Sequence, residues 1–128
     1  MNLNSTNNRY TSIRNSIYCQ NGAVATSTPI AAQVGLEILK KGGNAVDAAV
    51  ATAATLTVVE PTGCGIGGDA YALVWIEKEK KLYGLNSSGF APEAMKIEEY
   101  ENEKEMPRYG LKTVTVPGIP AAWVELNK

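Results

Sequence analysis

Residues 44–75 read NAVDAAVATAATLTVVEPTGCGIGGDAYALVW, and the order of elements in this stretch decides the fold. Its first half is apolar on all sides, with mostly small side chains, which predicts a buried helix over residues 45–59. Gly63, Gly65 and Gly68 then follow the G-x-G-x-x-G spacing of a dinucleotide-binding turn, which needs a strand before it and a helix after it. Here a helix precedes and the strand-like AYALVWIE follows. We therefore interpret the glycines as a turn that needs positive φ or close backbone approach, and a nucleotide-binding domain is the weaker alternative.

Capping signals define a helix just upstream of this stretch. The segment TPIAAQVGLEILKKGGN begins with Thr28 as a candidate N-cap and Pro29 at the first helical position, and it ends in two lysines and two glycines. Asn44 is the expected N-cap of the second helix, with Asp47 near its positive end. Gly35 lies in the middle of the first helix, where glycine costs about 1 kcal/mol relative to alanine. This predicts close packing of another backbone at that position.

The remaining segments predict strands and one short helix. AYALVWIE and KLYGLNSSG, joined by the EKEKK turn, predict a hairpin with Tyr71, Leu73 and Trp75 on one face. Further predicted elements are a short strand at 22–27, a polar and partly helical stretch at 92–105, a strand at 111–116 and a helix from Pro120. That helix carries Trp123 and Leu126 and has no C-cap signal. The sequence therefore predicts a polar arm over residues 1–21 and a partial domain over 22–128, truncated inside a helix.

Composition narrows the function classes. Twelve basic and thirteen acidic residues give a net charge of −1 over 128 residues, which leaves no basic field for nucleic acid. The first 21 residues contain no apolar run of the signal-peptide type, and no stretch reaches the roughly 20 apolar residues of a membrane span. We therefore expect a cytoplasmic location without membrane contact. Cys19 and Cys64 predict neither a disulfide framework nor a metal site, and no cofactor is expected.

The sequence contains no histidine. This excludes Ser-His-Asp and Cys-His nucleophile pairs as well as histidine-containing zinc sites. Hydrolysis or acyl transfer would need another base. An N-terminal nucleophile, whose own α-amine takes the proton, is one such solution.

Three segments carry a family resemblance that covers about residues 10–126. GAVATSTPIAAQVGLEILKKGGNAVDAAVATAATLTVVEP, GIGGDAYALVW and VTVPGIPAAW resemble the N-terminal part of the heavy subunit of the γ-glutamyltransferase (γ-glutamyltranspeptidase) family. The resemblance implies an α/β, four-layer αββα fold of the N-terminal nucleophile hydrolases, made as a self-cleaving proenzyme. It also implies an N-terminal Thr in the light subunit that attacks the γ-glutamyl amide of substrates such as glutathione. The usual Thr-Thr pair has no counterpart in these 128 residues, so we expect the fragment itself to be inactive.

The resemblance places one substrate-binding stretch within this chain. Relatives carry an Arg, in a stretch similar to L-D-x-R-E-x-A-P, that pairs with the α-carboxylate of the substrate. Here Ser88 stands at that position, and Phe90 stands where relatives with G-S-G-R-A-P carry their Arg. Asn86 and Ser87 either line the same pocket or are simply the polar end of a strand. Glutamate recognition is therefore an open question for this chain.

Two other residues each have a structural and a functional interpretation. Cys64 could be a reactive thiol, but no base is available and a structural role is favoured. Asp69 could bind a metal or a substrate, although an aspartate after two glycines is more often a turn residue. For the whole chain, the alternative to an enzyme fragment is a non-catalytic remnant or interaction module.

Overall fold

The computed structural model describes residues 16–128, and they form helices, one hairpin and long connecting loops. In chain order the elements are α1 (Pro29–Lys40), α2 (Ala45–Val59), β1 (Ala70–Ile76), β2 (Lys81–Ser87), 3₁₀ helices at Ile97–Tyr100 and Leu111–Thr113, and α3 (Ile119–Leu126). Most of the arm predicted for residues 1–21 lies outside the described residues. Among the described helices, none is long and apolar enough to cross a bilayer.

Both predicted helix starts are confirmed. The Thr28 hydroxyl accepts a hydrogen bond from the Ala31 N–H at 3.4 Å, and Pro29 opens α1. In α2, the Asn44 side chain accepts from the Asp47 N–H at 2.9 Å, while the Asp47 carboxylate accepts from the Asn44 N–H at 2.8 Å. This reciprocal pair is a capping box, which satisfies two backbone donors that a helix start otherwise leaves without partners.

The two helices pack at a crossing built from small side chains. Ala31 and Gly35 of α1 are buried, as are Ala48 and Thr52 of α2. A Cβ on Gly35 would lie 2.4 Å from the Thr52 hydroxyl oxygen. The close packing predicted at this glycine is confirmed. The predicted burial of α2 on all sides is not found in the described residues, because Ala48 and Thr52 are its only buried residues there and Val58 is 76% exposed.

The hairpin forms where it was predicted. β1 and β2 pair antiparallel, with Leu73 opposite Gly84 and Trp75 opposite Leu82. One face, here called the outer face, carries four exposed apolar side chains: Tyr71, Leu73, Trp75 and Leu82. The inner face of β1 consists of the half-buried residues Ala70, Ala72, Val74 and Ile76. Both edges of this two-stranded sheet lack a further strand within residues 16–128.

Two predicted strands do not form. Residues 22–27 have no regular structure, and no backbone hydrogen bond joins them to another described segment. In the 111–116 segment the first residues instead form a 3₁₀ turn, closed by the Val114 N–H donating to the Leu111 carbonyl. Only Val116 makes a strand-like contact, donating to the Phe90 carbonyl at 2.9 Å. A strand needs a neighbouring strand for its backbone groups, and the described residues supply none at either place.

Candidate functional site

The predicted substrate residues lie where three distant segments meet. These segments are the end of the glycine stretch at Gly68, the loop at residues 86–90 after β2, and residues 115–118 before α3. The N–H groups of Gly118 and Ile119 both donate to the Gly68 carbonyl, at 3.1 and 3.2 Å. The Ser87 hydroxyl donates to the Gly118 carbonyl at 2.8 Å. Backbone groups therefore hold the junction together.

Two glycines make this junction close enough to form. A Cβ on Gly118 would lie 2.0 Å from the Ser87 carbonyl oxygen, and one on Gly89 would lie 2.0 Å from the Val116 carbonyl oxygen. Gly89 also has φ +80°, a left-handed conformation that side-chain-bearing residues rarely adopt. Neither residue was predicted from the sequence to have a role. The local signals were the Ser88-Gly89 and Pro117-Gly118 pairs, since S-G and P-G dipeptides mark turns.

Residues 86–90, here called the site loop, bring the four predicted residues onto one cavity. This cavity of about 470 Å³ lies between the site loop and the start of α3, within the 300–1,000 Å³ range of small-molecule sites. It is lined by Asn86, Ser87, Ser88, Gly89, Phe90, Val116, Pro117, Gly118 and Ala121. Phe90 is 85% exposed, and the Ser88 N–H donates to the Asn86 side-chain oxygen at 3.1 Å. The four residues predicted together from the sequence thus line one cavity, while their role stays a prediction.

The glycine stretch does not have the geometry of a nucleotide site. It lies between α2 and β1, so no helix begins after it to offer its N-terminus to a phosphate. None of the glycines in this stretch has a positive φ. Among the described residues, the glycines with positive φ are Gly22, Gly42, Gly89 and Gly110. Its close approach occurs at one point, where the Gly68 carbonyl accepts the two N–H groups at the start of α3.

Asp69 and Cys64 sit beside this stretch. The Asp69 carboxylate accepts a hydrogen bond from the Thr115 hydroxyl at 3.0 Å, which ties the glycine stretch to the segment before α3. This long-range contact was not predicted. Cys64 is half-buried at a smaller cavity of about 240 Å³ that Trp123 also lines. Within residues 16–128, no three Cys, Asp or Glu side chains lie close enough together to hold a metal ion.

A larger cavity of about 710 Å³ runs along α2 beside residues 21–26. Its walls are alanine, valine, leucine, glycine and threonine, with Asn21 at one end. None of these lining side chains ionises or is a strong nucleophile. The larger cavity therefore has the lining of a packing surface.

The far end of the hairpin has its own charge pair. The Glu77 carboxylate accepts hydrogen bonds from the Lys80 ammonium and from the Trp75 indole, the latter at 2.8 Å. The Lys80 contact, and after it the indole contact, lower the pKa of Glu77 from its ordinary value of 4.5. Both partners are exposed, so this pair adds little to stability.

Known proteins are similar to this chain in sequence and in fold. The cephalosporin acylase from Bacillus halodurans is 53% identical with a TM-score of 0.80, over 98% of this chain and 24% of that chain. The gamma-glutamyltranspeptidase from Pseudomonas nitroreducens is 40% identical with a TM-score of 0.73, over 86% of this chain and 34% of that chain. A "glutathione hydrolase-like YwrD proenzyme" from Bacillus subtilis is 39% identical over 95 residues, 73% of this chain and 18% of its own length.

These matches first define the class of protein. The helix pair, the hairpin and α3 are the N-terminal part of the layered α/β fold, αββα, of the N-terminal nucleophile hydrolases. The family follows from the match of the Gamma-glutamyltranspeptidase family model to residues 31–128, and the chain belongs to that family. The resemblance identified from the sequence is confirmed. The chain spans only about a fifth of the length of such proenzymes, as the 18% coverage of the Bacillus subtilis relative illustrates.

Proposed function

We propose that this chain is the acyl-binding part of an enzyme that hydrolyses or transfers γ-glutamyl-type amides. The observation that carries the proposal is the site loop, held by backbone hydrogen bonds against a cavity of about 470 Å³ in a chain of this family. In this proposal Asn86, Ser87, Ser88 and Phe90 contact the acyl group. The remainder of the heavy subunit and the light subunit are the partners of this segment.

The proposed reaction follows N-terminal nucleophile chemistry. A threonine hydroxyl outside these 128 residues attacks the amide carbonyl, its proton passes to the threonine's α-amine, and the carbon–nitrogen bond breaks as the leaving amine takes that proton. Water then hydrolyses the resulting ester, or an amino acid or peptide amine takes the acyl group. The lack of any histidine in the chain is compatible with this base. This chain's own contribution is to bind and orient the acyl group.

The relatives differ in the acyl group that their names indicate. Glutathione hydrolase-like proteins support γ-glutamyl substrates such as glutathione, whereas the highly similar Bacillus halodurans protein is a cephalosporin acylase. Neither Ser88 nor Phe90 supplies the cation that γ-glutamyl-binding relatives are expected to use. Losing one charge-assisted hydrogen bond costs about 1.5–3 kcal/mol. We therefore propose weak binding of γ-glutamyl groups.

Restoring the cation tests this proposal. In the protein expressed from its complete reading frame, Ser88→Arg or Phe90→Arg should recover part of that loss, roughly 10- to 150-fold in binding, and so lower KM for a γ-glutamyl anilide. A matched anilide without the α-carboxylate should gain nothing from either change. If the unchanged protein already binds γ-glutamyl groups as tightly as an Arg-bearing relative, another residue holds the carboxylate and the role given to positions 88 and 90 is wrong.

The 128-residue chain alone should release no chromophore from a γ-glutamyl anilide above a boiled control. The nucleophile is absent from it, and positioning without a nucleophile retains only a small part of such catalysis. Sequencing beyond codon 128 separates the enzyme from the remnant or interaction module, since an in-frame light subunit with a Thr-Thr pair defines the former. The cytoplasmic location stays a prediction that cell fractionation would test.

A further inference from the structure

The cavity at the site loop has no charge on its walls. Among its nine lining residues, all within the described part of the chain, none is acidic or basic. Phe90, Val116, Pro117 and Ala121 supply apolar surface, and the polar members are uncharged. A carboxylate or ammonium group entering such a cavity would lose water without gaining an opposite charge. A neutral group loses less.

The polar groups in the cavity are already partly committed. The Asn86 side-chain oxygen accepts from the Ser88 N–H, and the Ser87 hydroxyl donates to the Gly118 carbonyl. These bonds shape the loop and use one acceptor site of the Asn86 amide oxygen and the single donor of the Ser87 hydroxyl. The polar groups of the lining can still form hydrogen bonds with a ligand, but they offer no opposite charge to a charged amino acid.

The backbone of Phe90 is held by a hydrogen bond, while its ring is exposed. Its carbonyl accepts from the Val116 N–H at 2.9 Å, and the left-handed Gly89 sets the direction of the chain just before it. The ring itself is 85% exposed at the edge of the cavity. A ring held this way is prepared to cover an apolar or aromatic ligand with little loss of backbone freedom.

We infer that this cavity selects a neutral acyl group with an apolar, preferably aromatic, side chain, and that Phe90 is the residue that determines this specificity. The inference rests on the proposed function, because it names the acyl class for the same site. Ser88, beside the ring, then contacts the acyl carbonyl region instead of an α-carboxylate.

Two anilides test the inference in the protein expressed from its complete reading frame. Phenylacetyl-p-nitroanilide carries a neutral aromatic acyl group, and γ-glutamyl-p-nitroanilide carries the charged amino-acid group. We expect kcat/KM to be at least about tenfold higher for the phenylacetyl substrate, as partial burial of an aromatic ring implies. An equal or higher value for the γ-glutamyl substrate would overturn the inference while leaving the proposed amide chemistry intact.

A matched pair of variants assigns the effect to Phe90. Phe90→Ala should lower kcat/KM for the phenylacetyl substrate by about tenfold, mainly through KM, and should lower it clearly less for the γ-glutamyl substrate, so that the preference between the two shrinks. Phe90→Leu should retain part of the preference. Tyr109→Ala is the control, since Tyr109 is an aromatic residue of similar exposure, 89%, that does not line the cavity. Equal losses in Phe90→Ala and Tyr109→Ala would contradict a specific role.

Direct binding separates failure of the inference from failure of the proposed function. Phenylacetamide and L-glutamine, titrated by calorimetry, compare the same two acyl groups without any reaction. If neither anilide is cleaved, the proposed amide chemistry fails, but phenylacetamide binding that Phe90→Ala weakens would still support the inference. Tighter binding of L-glutamine, or no binding of phenylacetamide, would overturn it.

Discussion

The crossing of α1 and α2 allows a quantitative test at Gly35. Replacing it with alanine adds one methyl group, whose carbon would lie 2.4 Å from the Thr52 hydroxyl oxygen and 3.0 Å from a Val24 methyl carbon. Thr52 is buried, and its hydroxyl donates to the Ala48 carbonyl at 2.7 Å. Rotating that hydroxyl away would break a bond whose net contribution is about 1 kcal/mol. The helix crossing therefore cannot accommodate the methyl group without a cost in stability.

Two opposing effects set the size of the change at Gly35. Alanine is favoured over glycine in a helix interior by about 1 kcal/mol. Overpacking a tight contact costs about 1–3 kcal/mol, and the locked Thr52 places this site in the upper part of that range. We expect Gly35→Ala to lower the free energy of unfolding by about 1–2 kcal/mol in total.

A double-mutant cycle then assigns the loss to the Thr52 contact. Thr52→Ala removes the clashing oxygen, so Gly35→Ala should be less destabilising in that background, with a coupling energy of about 1 kcal/mol. Thr55→Ala is the matched control, because the Thr55 hydroxyl makes the same kind of bond, to the Ala51 carbonyl at 2.8 Å, but does not contact Gly35. In the Thr55→Ala background the two changes should be additive.

Urea unfolding of the protein expressed from its complete reading frame, followed by helical circular dichroism, measures these differences through the unfolding midpoint. The midpoint should fall in Gly35→Ala while the slope with denaturant stays constant. The reasoning is refuted if Gly35→Ala is as stable as the unchanged chain. It is also refuted if Thr52→Ala and Thr55→Ala give the same result when combined with Gly35→Ala.

Three further predictions concern other parts of the chain. Gly118→Ala should destabilise by about 3 kcal/mol in the same urea assay, because the new carbon meets a backbone oxygen, whereas Gly65→Ala, with nothing within 4 Å, should be nearly neutral. The Trp75 indole N–H resonance should titrate with a midpoint below pH 4.5, since the lowered pKa of Glu77 keeps their contact until the pH falls through it, and Lys80→Ala should raise that midpoint. The isolated chain should bind a dye specific for apolar surface and form oligomers on sizing, since the outer face of the hairpin is exposed; a dye-free monomer would contradict this.

Local signals explain which elements could be predicted from the sequence. The start of α1 depends on Thr28 and Pro29, and the start of α2 depends on Asn44 and Asp47, all within one helical turn of the end they define. The hairpin likewise depends on alternation within two adjacent strands and a four-residue turn between them. Such elements need no knowledge of the rest of the chain. The bounds of α2 are as predicted, while β1 ends one residue and β2 two residues before the predicted strand segments end.

Elements that depend on distant partners were predicted less well. Residues 22–27 have strand-like alternation, but a strand forms only beside another strand, and the described residues offer none there. Of the two roles predicted for the glycines of residues 63–68, only close backbone approach is found, at Gly68. Close approach is strongest at Gly89 and Gly118, where backbone segments far apart in sequence meet, and single-sequence spacing carries no information about such meetings.

The candidate site shows the same difference between local signals and contacts with distant segments. The sequence placed Asn86, Ser87, Ser88 and Phe90 together because they are neighbours in one loop. It did not reveal the cavity, since Val116, Pro117 and Ala121 reach it from a segment some thirty residues later, as does the hydrogen bond from Ser87 to Gly118, 31 positions on. The residues of the candidate site could therefore be named from the sequence. The shape of the cavity that they line could be known only from the fold.

The junction separates the stability of the site from its specificity. Gly68, Ser87, Gly118 and Ile119 join the three segments mainly through backbone groups, and the contacts that would clash on substitution are those of glycine. The exposed ring of Phe90 takes no part in these bonds, so its replacement leaves the frame unchanged. Changes at position 118 should therefore lower the unfolding midpoint and reduce activity toward all substrates alike. Changes at position 90 should alter the preference for the acyl group and leave the unfolding midpoint the same. Comparing Gly118→Ala with Phe90→Ala in both assays tests this separation, because a frame that depended on the ring would lower the midpoint of both variants.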